Sequence, residues 1–281
     1  MKNNLSQATA FFSFCLLTVA VSGWIHFSTP QPVQAQSELI YNSQTAADEI
    51  RQLKTRYRSE IEEYQQAEKQ YQVAQTQYEQ LQTLNALENA VRTTQLAMQA
   101  RGKVLWTYLQ LIKVTLNDQP GIHVEYKEIS LDNLNELQEQ LEAHQAKLEP
   151  ELSKDQIITL AAEFTPMYTT LEDSAYQGLS LIEIGRLQTI YDKTKVLSED
   201  MRSELATAGG ALKVSQRERA FNEVDQHLAN VELAFDDVES SFDDPTYQGY
   251  RGVHRRIQDN LAEIYSNLTR VRSFLAEIIS L

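Results

Sequence analysis

From Ser37 to Asn117 the chain carries no proline and a single glycine, Gly102. Proline removes a ladder N–H and glycine lowers helix propensity, so these two residues end most helices. A stretch this long without them, rich in Glu, Gln, Leu, Ala and Lys, favours helix along its whole length. Ser37 or Asn42-Ser43 is the expected cap, and Pro120-Gly121 the expected stop. Unbroken, such a helix would measure about 120 Å at 1.5 Å per residue, with Gly102 its weakest point. That length predicts a coiled coil or a helical bundle.

The same stretch has a seven-residue repeat. Ile50, Tyr57, Tyr64, Tyr71 and Tyr78 recur at one heptad position, which makes them a helix-interaction seam. The matching second position holds Leu53, Glu60, Ala67, Ala74 and Leu81. Large aromatics against small alanines interdigitate well, whereas Glu60 is out of place in a dry seam, so Ile61 is expected to turn inward in its stead. Beyond Leu81 the apolar residues change register to Leu84, Leu87, Val91 and Met98, which reads as a stutter. Within this run YQQAEKQYQVAQTQYEQL resembles, in composition, the helical hairpins of bacterial envelope adaptor proteins and outer-membrane export channels. Those families also need β-domains or barrel strands, and this chain offers neither, so the resemblance implies helical packing and carries no activity with it.

The remainder continues in helical periods. GIHVEYKEI, from Gly121 to Ile129, is expected as an extended connection. Leu134, Leu141 and Leu148 then stand seven apart, ending at Pro150. Ser153 and Gln156 have capping-box spacing before a third helical run. Pro166 is expected to kink that run or restart it with Thr165 as cap, and Gly209-Gly210 to interrupt it. Two further helices follow. One carries Val214, Phe221, Val224, Leu228, Val231, Phe235 and Val238, and the other Ile257, Leu261, Ile264, Leu268, Val271, Leu275 and Ile278. The tripeptide YQG occurs at Tyr176–Gly178 and again at Tyr247–Gly249, where chance or shared turn chemistry is a simpler account than an internal repeat.

The N-terminus reads as an address. Lys2 is the only formal charge in the first 35 residues, an apolar run extends from Ala10 to Phe27, and Val33-Gln34-Ala35 suits a signal-peptidase site. Uncleaved, the run is about long enough to serve as a membrane anchor. Either way the rest of the chain is expected outside the cytoplasm: periplasmic, secreted or anchored.

Composition removes several chemistries. A formal charge of −14 argues against nucleic acid, whose phosphates require a basic surface. The lone Cys15 allows neither an internal disulfide nor a multi-cysteine metal site. His26, His123, His144, His227 and His254 have no metal-ligand spacing, and no phosphate loop, dinucleotide fingerprint, H-E-x-x-H or G-x-S-x-G is present. The acids of AFDDVESSFDDP lack the order of a calcium loop. They are expected instead to face the bases of YRGVHRRI across a hairpin, with Asp236, Asp237, Asp243 and Asp244 opposite Arg251, Arg255 and Arg256.

The sequence therefore predicts an all-α protein: a leader or anchor over 1–35, a long coiled-coil helix over 36–119, two to three helices over 120–208 and a C-terminal hairpin over 209–281, arranged as an elongated antiparallel bundle. No cofactor, metal or catalytic constellation is expected. The leading function is a non-catalytic envelope scaffold that binds a protein partner or itself through helix–helix packing. The alternative is an extracytoplasmic ligand-binding or sensory bundle held by its N-terminal segment.

Overall fold

The computed structural model describes residues 37–148, 151–205, 211–242 and 249–281. Among them there are six helices and no strand: α1 (Ser37–Leu81), α2 (Leu84–Asp118), α3 (Val124–Ala146), α4 (Lys154–Leu205), α5 (Ala211–Phe242) and α6 (Tyr250–Ser280). The expected leader or anchor over 1–35, Pro150, Gly209-Gly210, Asp243 and Asp244 lie outside the described residues.

The expected unbroken first helix is two helices. Gln82 takes a left-handed φ of 51° and its N–H closes onto the Tyr78 carbonyl at 2.9 Å. Thr83 then caps α2, its Oγ1 accepting from the Ala86 N–H at 3.3 Å while its carbonyl receives the Leu87 N–H. A left-handed residue followed by a threonine cap ends one helix and starts another without glycine or proline. The change of apolar register after Leu81 is therefore a turn and not a stutter. Gly102 lies inside the continuous α2.

Pro120-Gly121 ends α2 as expected, with Gly121 at φ 77°. The extended connection expected over 121–129 is shorter, because α3 already begins at Val124. Glu125 in its first turn suits the positive end of the helix dipole. The Lys127 ammonium reaches back to the Asn117 and Gln119 carbonyls at 2.7 and 3.1 Å, satisfying the orphaned end of α2. Alternation over so few residues does not separate strand from helix, and here the end contacts decide. The capping box before α4 forms as read: the Ser153 N–H donates to Gln156 Oε1 at 2.8 Å and the Gln156 N–H to Ser153 Oγ at 3.4 Å. Pro166 neither ends nor restarts α4, and Thr165 turns its hydroxyl back to the Ala161 carbonyl at 3.4 Å in place of capping.

The described residues divide into two compact units, those within 37–105 and 141–167, and those within 106–140 and 168–281. Helices α2, α3 and α4 each run from one unit into the other, so neither unit is one continuous stretch of sequence. In the first unit Tyr71, Ala97, Met98, Leu148, Ile157 and Leu160 form the core, flanked by Ala67, Val91, Leu152 and Ala161. Gln95 and Gln99 each donate to the Leu148 carbonyl at 2.7 Å, covering the chain just beyond α3.

In the second unit α5 and α6 pack antiparallel. All seven apolar residues read along α6, from Ile257 to Ile278, are buried, as is Val253 before them. They meet Phe221, Val224, Leu228, Val231 and Val238 of α5, and Tyr191 and Met201 of α4 join the same core. One polar pair interrupts this seam. His227 Nδ1 lies 2.9 Å from Asn267 Oδ1, and because a carbonyl oxygen only accepts, Nδ1 carries the proton. A single buried polar pair in an apolar seam favours one helix register over its neighbours.

Candidate functional site

Four clusters hold the chemistry-bearing side chains. The first is the tyrosine stripe of α1. Tyr71 is buried in the core of the first unit, while Ile50, Tyr57, Tyr64 and Tyr78 are half-buried. Burial, followed by the neighbouring Glu68 and Glu79 charges, pushes the Tyr71 phenol up to about 12. Burial also raises Tyr57. The Lys154 ammonium lies 6.0 Å from the centre of the Tyr78 ring. Glu60, and not Ile61, holds the opposing seam position: it is 7% exposed and Ile61 is half-buried. Arg56 Nε donates to Glu60 Oε1 at 2.7 Å, and the second oxygen is buried with no hydrogen-bond partner.

The second cluster crosses the first unit from helix to helix. The Arg101 guanidinium stacks 3.9 Å above the Phe164 ring, and His144 packs against the same ring at 5.4 Å. His144 Nε2 lies 3.0 Å from the Leu160 carbonyl, so the proton is on Nε2, and Nδ1 is buried without a partner. Burial lowers the His144 pKa; the Leu160 carbonyl and Glu163 act upward, Arg101 and Lys147 downward. Burial raises Glu68, against hydrogen bonds from Gln72 and Tyr64 and the Arg101 charge.

The third cluster is a groove of about 270 Å³ between α4 and α5, lined by Tyr191, Lys195, Ser198, Arg202, Asp225 and Glu232 among others. The Tyr191 hydroxyl donates to Glu232, Lys195 Nζ reaches the same carboxylate at 3.0 Å, and Arg202 meets Asp225 at 2.7 Å. Hydrogen bonds from Tyr191 and Lys195 hold Glu232 low, while its bond to Glu232 and that to Tyr191 raise Lys195. Both groove cations, Lys195 and Arg202, thus have a counter-charge on the facing helix, while Glu199 also lines the groove.

The fourth cluster joins α4 to the start of α6. Arg251 pairs with Glu172 at 3.2 Å, and an added Cβ on Gly249, at φ 76°, would sit 2.6 Å from Asp173 Oδ1. Tyr176 packs on the His254 ring at 5.2 Å. Ser180 Oγ lies 2.9 Å from His254 Nδ1 and 2.8 Å from the Tyr176 carbonyl. On the far side of the ring, the Gln258 amide nitrogen is 3.4 Å from His254 Nε2 and donates to Glu183 Oε2 at 2.8 Å.

A serine beside a histidine raises the question of nucleophilic catalysis, and the hydrogen-bond directions answer it. With the Ser180 hydroxyl donating to the Tyr176 carbonyl, the compatible tautomer has His254 Nδ1 donating to the hydroxyl oxygen. A base that donates to its serine cannot also take that serine's proton. Ser180 is moreover only 1% exposed. The cluster is a connector between helices.

The hairpin pairing expected between the two charged segments is not what the described residues form. Arg251 turns to Glu172 on α4, and no ion pair joins Arg251, Arg255 or Arg256 to Asp236 or Asp237. The side chains at 236 and 237 are exposed beyond the buried Val238, and their backbone carbonyls accept from Ser240 and Ser241. Asp243 and Asp244 are outside the described residues. The glycines of the two YQG tripeptides differ: Gly178 lies mid-helix, where an added Cβ would come 2.6 Å from Ile112, whereas Gly249 caps α6. No group of three or more His, Cys, Asp or Glu side chains among the described residues is placed to hold a metal ion, and no described helix is long and apolar enough to cross a membrane.

Sequence reasoning passed over the fourth cluster because no motif spans residues 74 apart. Its trace is a polar stripe at helical spacing, Tyr176, Ser180 and Glu183, on an otherwise apolar stretch of α4. No family model, curated protein or solved structure matches the chain.

Proposed function

We propose that this chain is a non-catalytic, exported helical scaffold of the cell envelope, engaging a protein partner or a second copy through helix–helix contacts. The carrying observation is how its reactive side chains are used. Ser180 spends its proton on a backbone carbonyl, Lys195 and Arg202 are neutralised across the groove, and Tyr71 fills a core. These side chains work inside the protein. Apolar side chains, by contrast, stand outside it: Leu81 and Leu84, 63% and 68% exposed, flank the α1–α2 turn, and Ile190 and Leu197 lie exposed seven residues apart on α4. The heptad of α1 and the interlocking α5–α6 seam support coiled-coil packing within an elongated antiparallel bundle. The apolar segment before Ala35 supports export by cleavage or by anchoring.

The test is fractionation of cells making the full chain with a C-terminal tag, with a photo-crosslinking residue at position 84 or 197. The reading expects protein outside the cytoplasm and a discrete protein adduct from at least one position. Retention in the cytoplasm, or no protein adduct from either position, sinks it. The groove between α4 and α5 is the observation that favours a ligand-binding reading. Its volume falls just below the roughly 300–1,000 Å³ of ordinary small-molecule pockets, and both of its cations are already ion-paired.

A further inference from the structure

The hydrogen bonds around His254 have only one consistent direction. Because Ser180 donates to the Tyr176 carbonyl, Nδ1–H donates to Ser180, and Nε2 is left as the lone-pair nitrogen. The opposite side fits the same tautomer, since a nitrogen facing the Gln258 NH₂ group has to accept. Gln258 uses its other N–H on Glu183. The chain of bonds thus runs from Glu183 through Gln258 and His254 to Ser180, crossing twice between α6 and α4.

We propose that His254 is an acid-operated clasp between α4 and the first turns of α6: when Nε2 takes up a proton, Gln258 loses its acceptor and releases Glu183, the carboxylate turns to the imidazolium, and residues 250–258 loosen from α4. The reason is a conflict of donors. A protonated Nε2–H facing the Gln258 NH₂ places two donors against each other, and rotating the amide would set its oxygen against the Glu183 carboxylate. One bond of the chain must break.

The surroundings of the ring set the sign. From α4, the Glu183 carboxylate and the Tyr176 phenol face it; on its own helix Arg251 is turned to Glu172 and Gln258 is neutral; α5 meets α6 through apolar side chains and the titratable His227, which is bonded to Asn267 further along the seam. Burial lowers the His254 pKa and Glu183 acts upward against it. A histidine held below its unfolded value of about 6.5 gives stability that is complete above that pH and declines as pH falls toward the folded-state value. Proton uptake and docking then oppose each other. Each unit by which docking depresses the pKa weakens docking about tenfold in acid. Histidine is the side chain whose ordinary pKa lies nearest this range, so the clasp is operated by acid below about pH 6.5.

The experiment uses the full chain labelled with ¹⁵N-histidine, titrated from about pH 7.5 to about pH 4.5, with hydrogen-exchange protection read in parallel. The expected results are an Nδ1–H tautomer at the upper pH, a His254 midpoint below about 6.5, and loss of protection over 250–258 while 264–278 keeps its own. Glu183→Gln should lower the midpoint further, and His254→Gln should abolish the acid-dependent change over 250–258. An Nε2–H tautomer, a midpoint at or above about 6.5, or unchanged protection over 250–258 once His254 is charged would each overturn the proposal. The wild-type titration decides even if neither variant folds.

Discussion

Two glycines inside helices respond oppositely to the same substitution. An added Cβ at Gly185 in α4 would lie 2.4 Å from Ile122 Cγ1, 2.9 Å from Gln119 Cγ and 2.9 Å from the Pro120 carbonyl oxygen. The carbonyl belongs to a backbone turn that Gly121 and the Thr189 hydroxyl, 3.2 Å from the same oxygen, hold against α4. At Gly102 in α2 the added Cβ would meet only the Gln145 side chain, whose Nε2 would be 1.7 Å away. That amide nitrogen has no hydrogen-bond partner to lose, and its long side chain can swing aside. Alanine in place of glycine in a helix interior gains about 0.8–1.0 kcal/mol, whereas overpacking a tight contact costs about 1–3 kcal/mol. For Gly185→Ala the second effect wins, giving a net loss of up to about 2 kcal/mol. For Gly102→Ala the first prevails, giving a gain of up to about 1 kcal/mol. Urea unfolding followed by far-ultraviolet circular dichroism reads both as shifts in midpoint at constant slope. Equal shifts, or shifts of the same sign, would refute the reasoning, because they would mean that helix propensity outweighs packing at both sites or at neither.

Glu60→Leu should stabilise the protein by about 1 kcal/mol or more, since it replaces a buried, half-satisfied carboxylate in a seam with an apolar side chain; urea midpoints at neutral pH test this, and a loss would mean that the Arg56 contact is worth more than the desolvation it requires. Ser153→Ala should cost about 0.5–2 kcal/mol by opening the capping box of α4, detected as increased amide exchange in the first turn of that helix. His144 should contribute stability that is complete above about pH 6.5 and declines as the pH falls below it, because burial lowers its folded-state pKa. Unfolding midpoints measured across that interval should lose part of their pH dependence in His144→Gln, and an unchanged slope would contradict the assignment.

Much of the helical framework is written in periodicity and punctuation, which act through neighbours in sequence. The α6 stripe, the Ser153–Gln156 capping box and the Pro120-Gly121 stop could all be read because each depends on residues within a few positions of one another. The all-α class follows from the same local rules. What tertiary structure alone decided are the places where local preference is weak or is overruled. Gln82 has no special liking for a left-handed backbone, but a capped turn there ends α1 where a strict reading of breakers predicts none. Pro166 disfavours helix locally, yet α4 continues through it with Phe164 and Leu171 buried on either side. Glu60 takes the seam position that hydrophobicity assigns to Ile61, because heptad geometry carries that position inward. Arg251 finds Glu172, and His254 finds Ser180, across more than seventy residues. Periodicity shows which face of a helix is buried. Which helix lies against it, and so which charge meets which, is set by packing between elements far apart in the chain.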